Sequence, residues 1–229
     1  MRIIPLPPGR PDLIDESARV LAAAFERDPV VARIVPSSSS SSSSGSRNAA
    51  DRRERIAAFF AWGMRSVDES GIDLAVEGDL DSDTIDSEIV GGAAIGRVLG
   101  VTLWEGPEHR PRPLGALHGL LAAWRAIGFR GLREDRAYEE ASAPHRPTEP
   151  HWYLVDVGVH PDAAGRGIGA ALLAHGLARA DAAGLPAALT STSAGSRRLY
   201  ELQGFVTTHE TTTGPFAGLT SMRRPPAAR

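Results

Sequence analysis

Three glycines at alternate positions in Gly165-Arg166-Gly167-Ile168-Gly169-Ala170 are where this chain most plainly prepares for chemistry. They follow a β-branched and aromatic block, Trp152 to Val159, which reads as a buried strand. Pro161 closes that strand because it has no N–H to give to a ladder. A helix is expected to begin near Gly167. A glycine-rich turn at a helix N-terminus leaves several backbone N–H groups unpaired at the positive end of the helix dipole, which makes an anion site, with phosphate the usual anion. The hexapeptide also satisfies the G-x-G-x-x-A pattern of dinucleotide-binding folds. That pattern wants its first glycine directly at the strand end, whereas His160 to Ala164 intervene here, and the nearest downstream acid, Asp181, still lies on the helix. A dinucleotide-dependent oxidoreductase is therefore the weaker alternative. A P-loop is excluded, since the chain has no lysine.

A second landmark follows the helix: a strand, Ala187 to Ser191, and then Leu199-Tyr200-Glu201-Leu202-Gln203-Gly204-Phe205. The ordered set V-x-V-x-P (Val157 to Pro161), G-R-G-I-G, helix, strand and L-Y-E-x-x-G-F resembles the GNAT family of N-acetyltransferases. A broader likeness, to an antibiotic-acetylating branch of that family, runs through Leu21 to Phe25, Ala143 to Pro150, Trp152, Val157 to Asp162 and the short Arg-rich tail. It is thin between residues 37 and 142.

The resemblance implies an α/β (α+β) fold, a mixed and mostly antiparallel sheet flanked by helices, in a single domain over residues 1–229. Residues 143–224 would be its cofactor-binding half and 225–229 a tail. It implies acetyl-CoA as cosubstrate and no metal. The main chain of Val157, Gly158 and Val159 would pair with the pantetheine arm, with Gly158 leaving that approach open. Ala164, Gly165, Arg166, Gly167, Ile168, Gly169 and Ala170 would cradle the pyrophosphate, Arg166 adding charge. Ser193, Ser196 and Tyr200 complete the implied cofactor contacts. Two departures weaken the match: Ala164 stands where the family usually has glutamine or arginine, and Ser193 or Ser196 where it commonly has asparagine. Both leave the backbone amides in place. A GNAT-like module that binds acyl-CoA without turnover is the second alternative.

The implied reaction is direct attack of a small primary amine on the thioester, with Tyr200 protonating the departing thiolate. Attack requires a neutral amine. An alkyl amine of pKa ~10.4 is neutral in about one molecule in 2,500 at pH 7, which costs roughly 4.6 kcal/mol, whereas an α-amine near 7.7 costs only about 1 kcal/mol. Asp156 and Glu139 or Glu140 are the base candidates for the costlier case. Asp156 alternates with Val155 and Val157, so anchoring the strand competes with catalysis as its role. His145 and His151 precede the strand and read as exposed loop residues.

Around these residues the composition bounds the answer. The chain has 229 residues, 42% of them hydrophobic, enough for one domain with a real core. A net charge of −3 offers no general attraction to nucleic acid or an anionic membrane. Absence of cysteine excludes disulfides, thiolate metal sites and a cysteine nucleophile. The first residues lack the apolar stretch of a secretion signal, and no apolar segment is long enough to span a bilayer, so a cytoplasmic location is expected, with a homodimer allowed.

The positioning elements read as follows. A first strand covers Arg2 to Pro5, and a helix from Asp12 to Glu26 ends before Pro29. A second helix runs from about Asp51 to Val67, preceded by the flexible serine-rich loop at 37–46, a solvated surface loop with a lid over the acceptor as the other reading. Ile72 to Val76 and Ile89 to Trp104 read as strands joined by an aspartate-rich loop, with Trp104 in the core or walling an acceptor pocket. One or two helices span Pro111 to Ala141, with Leu117, Leu120, Leu121 and Trp124 on the apolar face and His118 at its margin. A short helix, Ser196 to Gln203, and closing strands at Phe205 to His209 and Leu219 to Arg223 complete the chain.

Overall fold

Short runs of valine, isoleucine, leucine and alanine supply the strands of one sheet, and amphipathic segments between them supply the helices that cover it. The computed structural model describes residues 1–37, 45–66, 71–78, 95–108 and 116–227. In chain order these form β1 (Arg2–Pro5), α1 (Pro11–Ala24), α2 (Pro29–Ile34), α3 (Gly45–Ser66), β2 (Ile72–Val76), β3 (Val98–Glu105) and α4 (Ala116–Ser142). There follow β4 (Trp152–Val159), α5 (Ile168–Ala183), β5 (Ala187–Ser191), α6 (Ala194–Leu202), β6 (Val206–Glu210) and β7 (Thr220–Arg224). The strand order is β1-β2-β3-β4-β5-β7-β6, and every neighbouring pair is antiparallel except β4 and β5. The expected single-domain, mostly antiparallel α/β fold is present.

Strand alternation sorts the two faces. Ile72, Leu74 and Val76 pack with Leu21, Ile56 and Met64 under α1 and α3. Ala75 points the other way, to Ile168 and Leu172 on α5. Asp73, fully buried on that second face, is held by both terminal nitrogens of Arg179 at 2.8 and 2.7 Å, a bidentate pair that satisfies both carboxylate oxygens.

Several boundaries differ from the sequence reading, each for a local reason. Pro29 starts a helix instead of ending one: Asp28 caps α2, its Oδ1 accepting from the amides of Val30 (2.9 Å) and Val31 (3.0 Å), and proline suits the first helical position. Helix α3 begins at Gly45, ahead of Asp51. Strand β3 begins at Val98, residues 95–97 having no strand structure. Trp104 is core, 1% exposed, with the glycine at 176 making room for its indole. Helix α4 is broken at Gly128 (φ 66°, ψ −179°), and Trp124 is 54% exposed instead of lying on an apolar face. Helix α6 starts at Ala194 because Ser193 caps it, accepting from the Ser196 amide. The serine tract beyond Ser37, the aspartate-rich connection from 79 on, and the side chains of Leu117, His118, Leu120 and Leu121 lie outside the described residues.

Gly158 also has a packing use that the sequence did not announce. A Cβ there would stand 2.8 Å from Leu21 Cδ2 and 3.1 Å from the Ala24 methyl, so the glycine is what lets α1 lie against β4. Gly158→Ala should therefore overpack this contact and cost about 1–3 kcal/mol. In a chain of this size that lowers the melting temperature by about 2–4 °C per kcal/mol, readable in a thermal melt.

Candidate active site

The parallel pairing of β4 with β5 stops early. Trp152, Tyr153 and Leu154 pair with Ala187, Ala188 and Leu189, and beyond Leu154 the β5-facing edge of β4 has no strand partner among the described residues. At the same place the β3 register shifts: Leu103 pairs with Asp156 but Trp104 with Leu154, leaving Val155 as a bulged residue. A bulge interrupts the ladder and re-aims the side chains around it. Val155 and Asp156 consequently both line the cleft that opens between the separating strands, despite being neighbours in sequence. The far half of β4, read as buried, is here only partly covered, with Val155 38% exposed.

The cleft encloses about 560 Å³. It is bounded by the main chain of Val157 to Val159, by Gly169 of α5, and by Ser193, Ser196, Leu199 and Tyr200 of the β5–α6 corner. Phe25, Phe59, Phe60, Asp135, Tyr138 and Tyr153 line it as well, Phe25 beside Gly158. Asp156 completes the lining. Its carboxyl makes no hydrogen bond with any described residue. Burial first, then the charges of Asp28, Glu105 and Asp135, push its carboxyl up to about 7. Tyr200 is 8% exposed. Burial, then Asp156 and Asp28, hold its phenol above the ordinary value, while a side-chain hydrogen bond with Ser196 works the other way.

Other expected residues separate. Glu139 reaches the cleft but gives an oxygen to Arg146 at 3.3 Å. Glu140 pairs with Arg136 at 2.8 Å on the exposed side of α4. His145 stacks on His209 with ring centres 3.6 Å apart, and His151 Nδ1 meets the Glu149 carbonyl oxygen at 2.8 Å. Neither histidine lines the cleft. Sequence reasoning passed over Asp28 and Asp135. Asp28, besides capping α2, accepts from the Thr192 hydroxyl and so ties α2 to the loop after β5. Asp135, Tyr138 and Glu139 have the i, i+3, i+4 spacing that puts three side chains on one helical face.

Beside the cleft, the glycine turn has the geometry of an anion cradle. Gly165 and Gly167 both have φ of 76°, a conformation that favours glycine. The first amide of α5 with a backbone acceptor is Ala171, bonded to the Gly167 carbonyl, and the amides from Gly165 to Ala170 donate to no described group. Ala164, Gly165, Arg166 and Gly167 are exposed. Ile168 is 2% exposed with its side chain in the core, so only its amide is available to a ligand. Ser191, Ser193 and Ser196 link their hydroxyls at 2.8 and 2.9 Å beside the cleft, filling the place where an asparagine was expected. An open strand edge next to orphaned amides at a sixteen-residue helix fits a ligand with an amide-bearing arm and a pyrophosphate, the make-up of coenzyme A.

The family model described as the acetyltransferase (GNAT) family matches residues 84–205, more than half of the chain, and the chain belongs to that family. Over nearly its whole length it is similar to the histone acetyltransferase HPA2 and related acetyltransferase of Corynebacterium glutamicum. That match has 27% identity and a TM-score of 0.59, covering 99% of this chain and 97% of the other. A Pyrococcus horikoshii protein (14% identity, TM-score 0.56, 99% of each chain) shares the fold. So does arylalkylamine N-acetyltransferase 2 of Aedes aegypti (13% identity, TM-score 0.53, 98% of each chain).

Proposed function

We propose that this protein transfers the acetyl group of acetyl-CoA to a primary amine of a small molecule, by direct attack in a ternary complex. The observation that carries this reading is the meeting of Asp156 and Tyr200 in one cleft. It lies where β4 parts from β5, and both side chains line it. Bound acetyl-CoA supplies an activated thioester carbonyl. The amides of residues 165–170 hold its phosphates, and the free edge of Val157 to Val159 aligns its arm. Asp156 takes a proton from the incoming ammonium, directly or through one water, and the nitrogen lone pair then attacks the carbonyl carbon. The C–S bond breaks as the Tyr200 hydroxyl gives its proton to the leaving sulfur, and the second proton lost by the attacking nitrogen passes through water to restore the phenol, leaving a neutral amide and free thiol. A carboxyl titrating near 7 suits a base that must lose and regain a proton at neutral pH.

The likeness of Ala143 to Pro150 and of the strand after it to puromycin N-acetyltransferase makes puromycin and aminoacyl compounds the first acceptors to try. Thiol release from acetyl-CoA across a panel of primary amines that includes them tests the reading. Amine-dependent release with N-acetylated product is expected. Calorimetric binding of acetyl-CoA with no release for any amine would instead favour the module that binds without turnover, which the alanine at 164 and the serines at 193 and 196 allow.

A further inference from the structure

Among the described residues, more carboxyl groups gather at the cleft than one substrate ammonium can answer. Five carboxyl groups bear on it: Asp28, Glu105, Asp135, Glu139 and Asp156. Three have assigned work. Asp28 accepts from the amides of α2 and from Thr192. Glu105 and Glu139 share the guanidinium of Arg146, each at 3.3 Å, and that guanidinium in turn lies 3.8 Å over the Tyr153 ring. Asp156 is the group that meets the reacting nitrogen. Asp135 is left over. It projects from α4 into the cleft one turn before Glu139, is half-buried, and has no hydrogen bond or ion pair with any described residue. Arg27 also borders the cleft, exposed, and pairs with none of these carboxylates among the described residues.

A half-buried carboxylate beside other carboxylates, paired with no cation among the described residues, is costly in the empty site and is relieved by a cation brought in by the ligand. Phe25, Phe59 and Phe60 provide an apolar wall in the same cavity. We infer that the acceptor carries two cationic nitrogens joined by an apolar spacer, one presented to Asp156 for acetylation and the other seated against Asp135. This rests on the acetyl-transfer reading and narrows it to a substrate class, the diamines and their N-substituted relatives. Specificity would lie in the second, unreacted nitrogen, because a site that leaves a buried charge unpaired discriminates against the analogue lacking its partner.

The test compares a series of α,ω-diamines of increasing length with the monoamines of matching length, reading kcat/KM by thiol release at saturating acetyl-CoA. The best diamine is expected to exceed its monoamine by about 10- to 100-fold, the worth of a hydrogen bond to a charged group. In Asp135→Asn the diamine-to-monoamine ratio should fall to about one. In Asp135→Glu, whose carboxyl reaches one methylene further, the preference should survive and shift to a shorter diamine. Equal use of diamine and monoamine by the native protein, or a ratio unchanged in Asp135→Asn, overturns the inference while leaving acetyl transfer standing. If no amine is turned over, calorimetry on the CoA-saturated protein decides. Diamine binding that Asp135→Asn abolishes supports the subsite and rejects the acetyl-transfer reading; no diamine binding rejects the subsite as well.

Discussion

Asp156→Asn should lower kcat/KM for a small amine by about a hundredfold or more, the usual contribution of a positioned general base, while making the folded protein more stable above neutral pH. The two effects have one origin. In the folded chain the carboxyl titrates at about 7, whereas an unfolded aspartate titrates near 3.9. Between those values the folded state binds more protons than the unfolded state, so unfolding free energy falls as pH rises. The favourable arrangement, a protonated Asp156, is fully present below about pH 4 and is lost as pH climbs through 7. Raising the carboxyl from near 3.9 to about 7 corresponds to at most roughly 4 kcal/mol. Asparagine, neutral at every pH, removes the penalty. The variant's melting temperature should therefore exceed the native one at pH 8 and match it near pH 4. The native kcat/KM should rise through about pH 7 to a plateau set by the acceptor's own titration, and the variant should lack that limb. Full activity with the limb intact would show that another group takes the proton.

What the sequence made legible, and what it did not, divides along a physical line. The strand at Trp152 to Val159, the helix opened by glycines and ended by Gly184, and the strand after Pro186 are encoded locally, in β-branched runs and in residues that force or forbid a backbone conformation. Their bounds were readable to within a residue. The direction of the Asp156 side chain was not, because it depends on a bulge at Val155 that exists only through mispairing with Leu103 and Trp104 of a strand fifty residues away. Pro29 carried two meanings, stop and start, and the choice fell to Asp28 and its bonds to two amides. That Gly158 also accommodates Leu21 and Ala24, distant in sequence, could not be read from its own neighbours. Asp135 and Tyr138 could be placed on one helical face from spacing alone, but not that this face looks into the cleft. Local chemistry announces elements; a site assembled by tertiary contact has to be seen.

Tyr200→Phe should cut kcat by about 10- to 100-fold and leave the KM for acetyl-CoA within about twofold, because the hydroxyl acts late, on the leaving sulfur, and contributes little to binding. The size follows from the leaving group. A thiol near pKa 8.5 departs as a tolerable anion without help, and proton transfer from a phenol near 10 is uphill by only about 2 kcal/mol at reference values. Burial raises the phenol further, so it stays protonated across the neutral range, a loaded but reluctant donor. It can yield its proton because a thiolate formed in the same water-poor corner is raised by the same desolvation. No descending limb attributable to Tyr200 should then appear in the native pH profile up to about pH 9. Phenylalanine keeps the ring that packs edge-on against Phe205 at 6.1 Å, and the hydroxyl's partner, Ser196, retains its bonds to Ser191 and Ser193. An unchanged melting temperature with lowered kcat is thus the signature of the proton donor. A loss of stability together with a raised KM would reassign Tyr200 to the wall of the cleft.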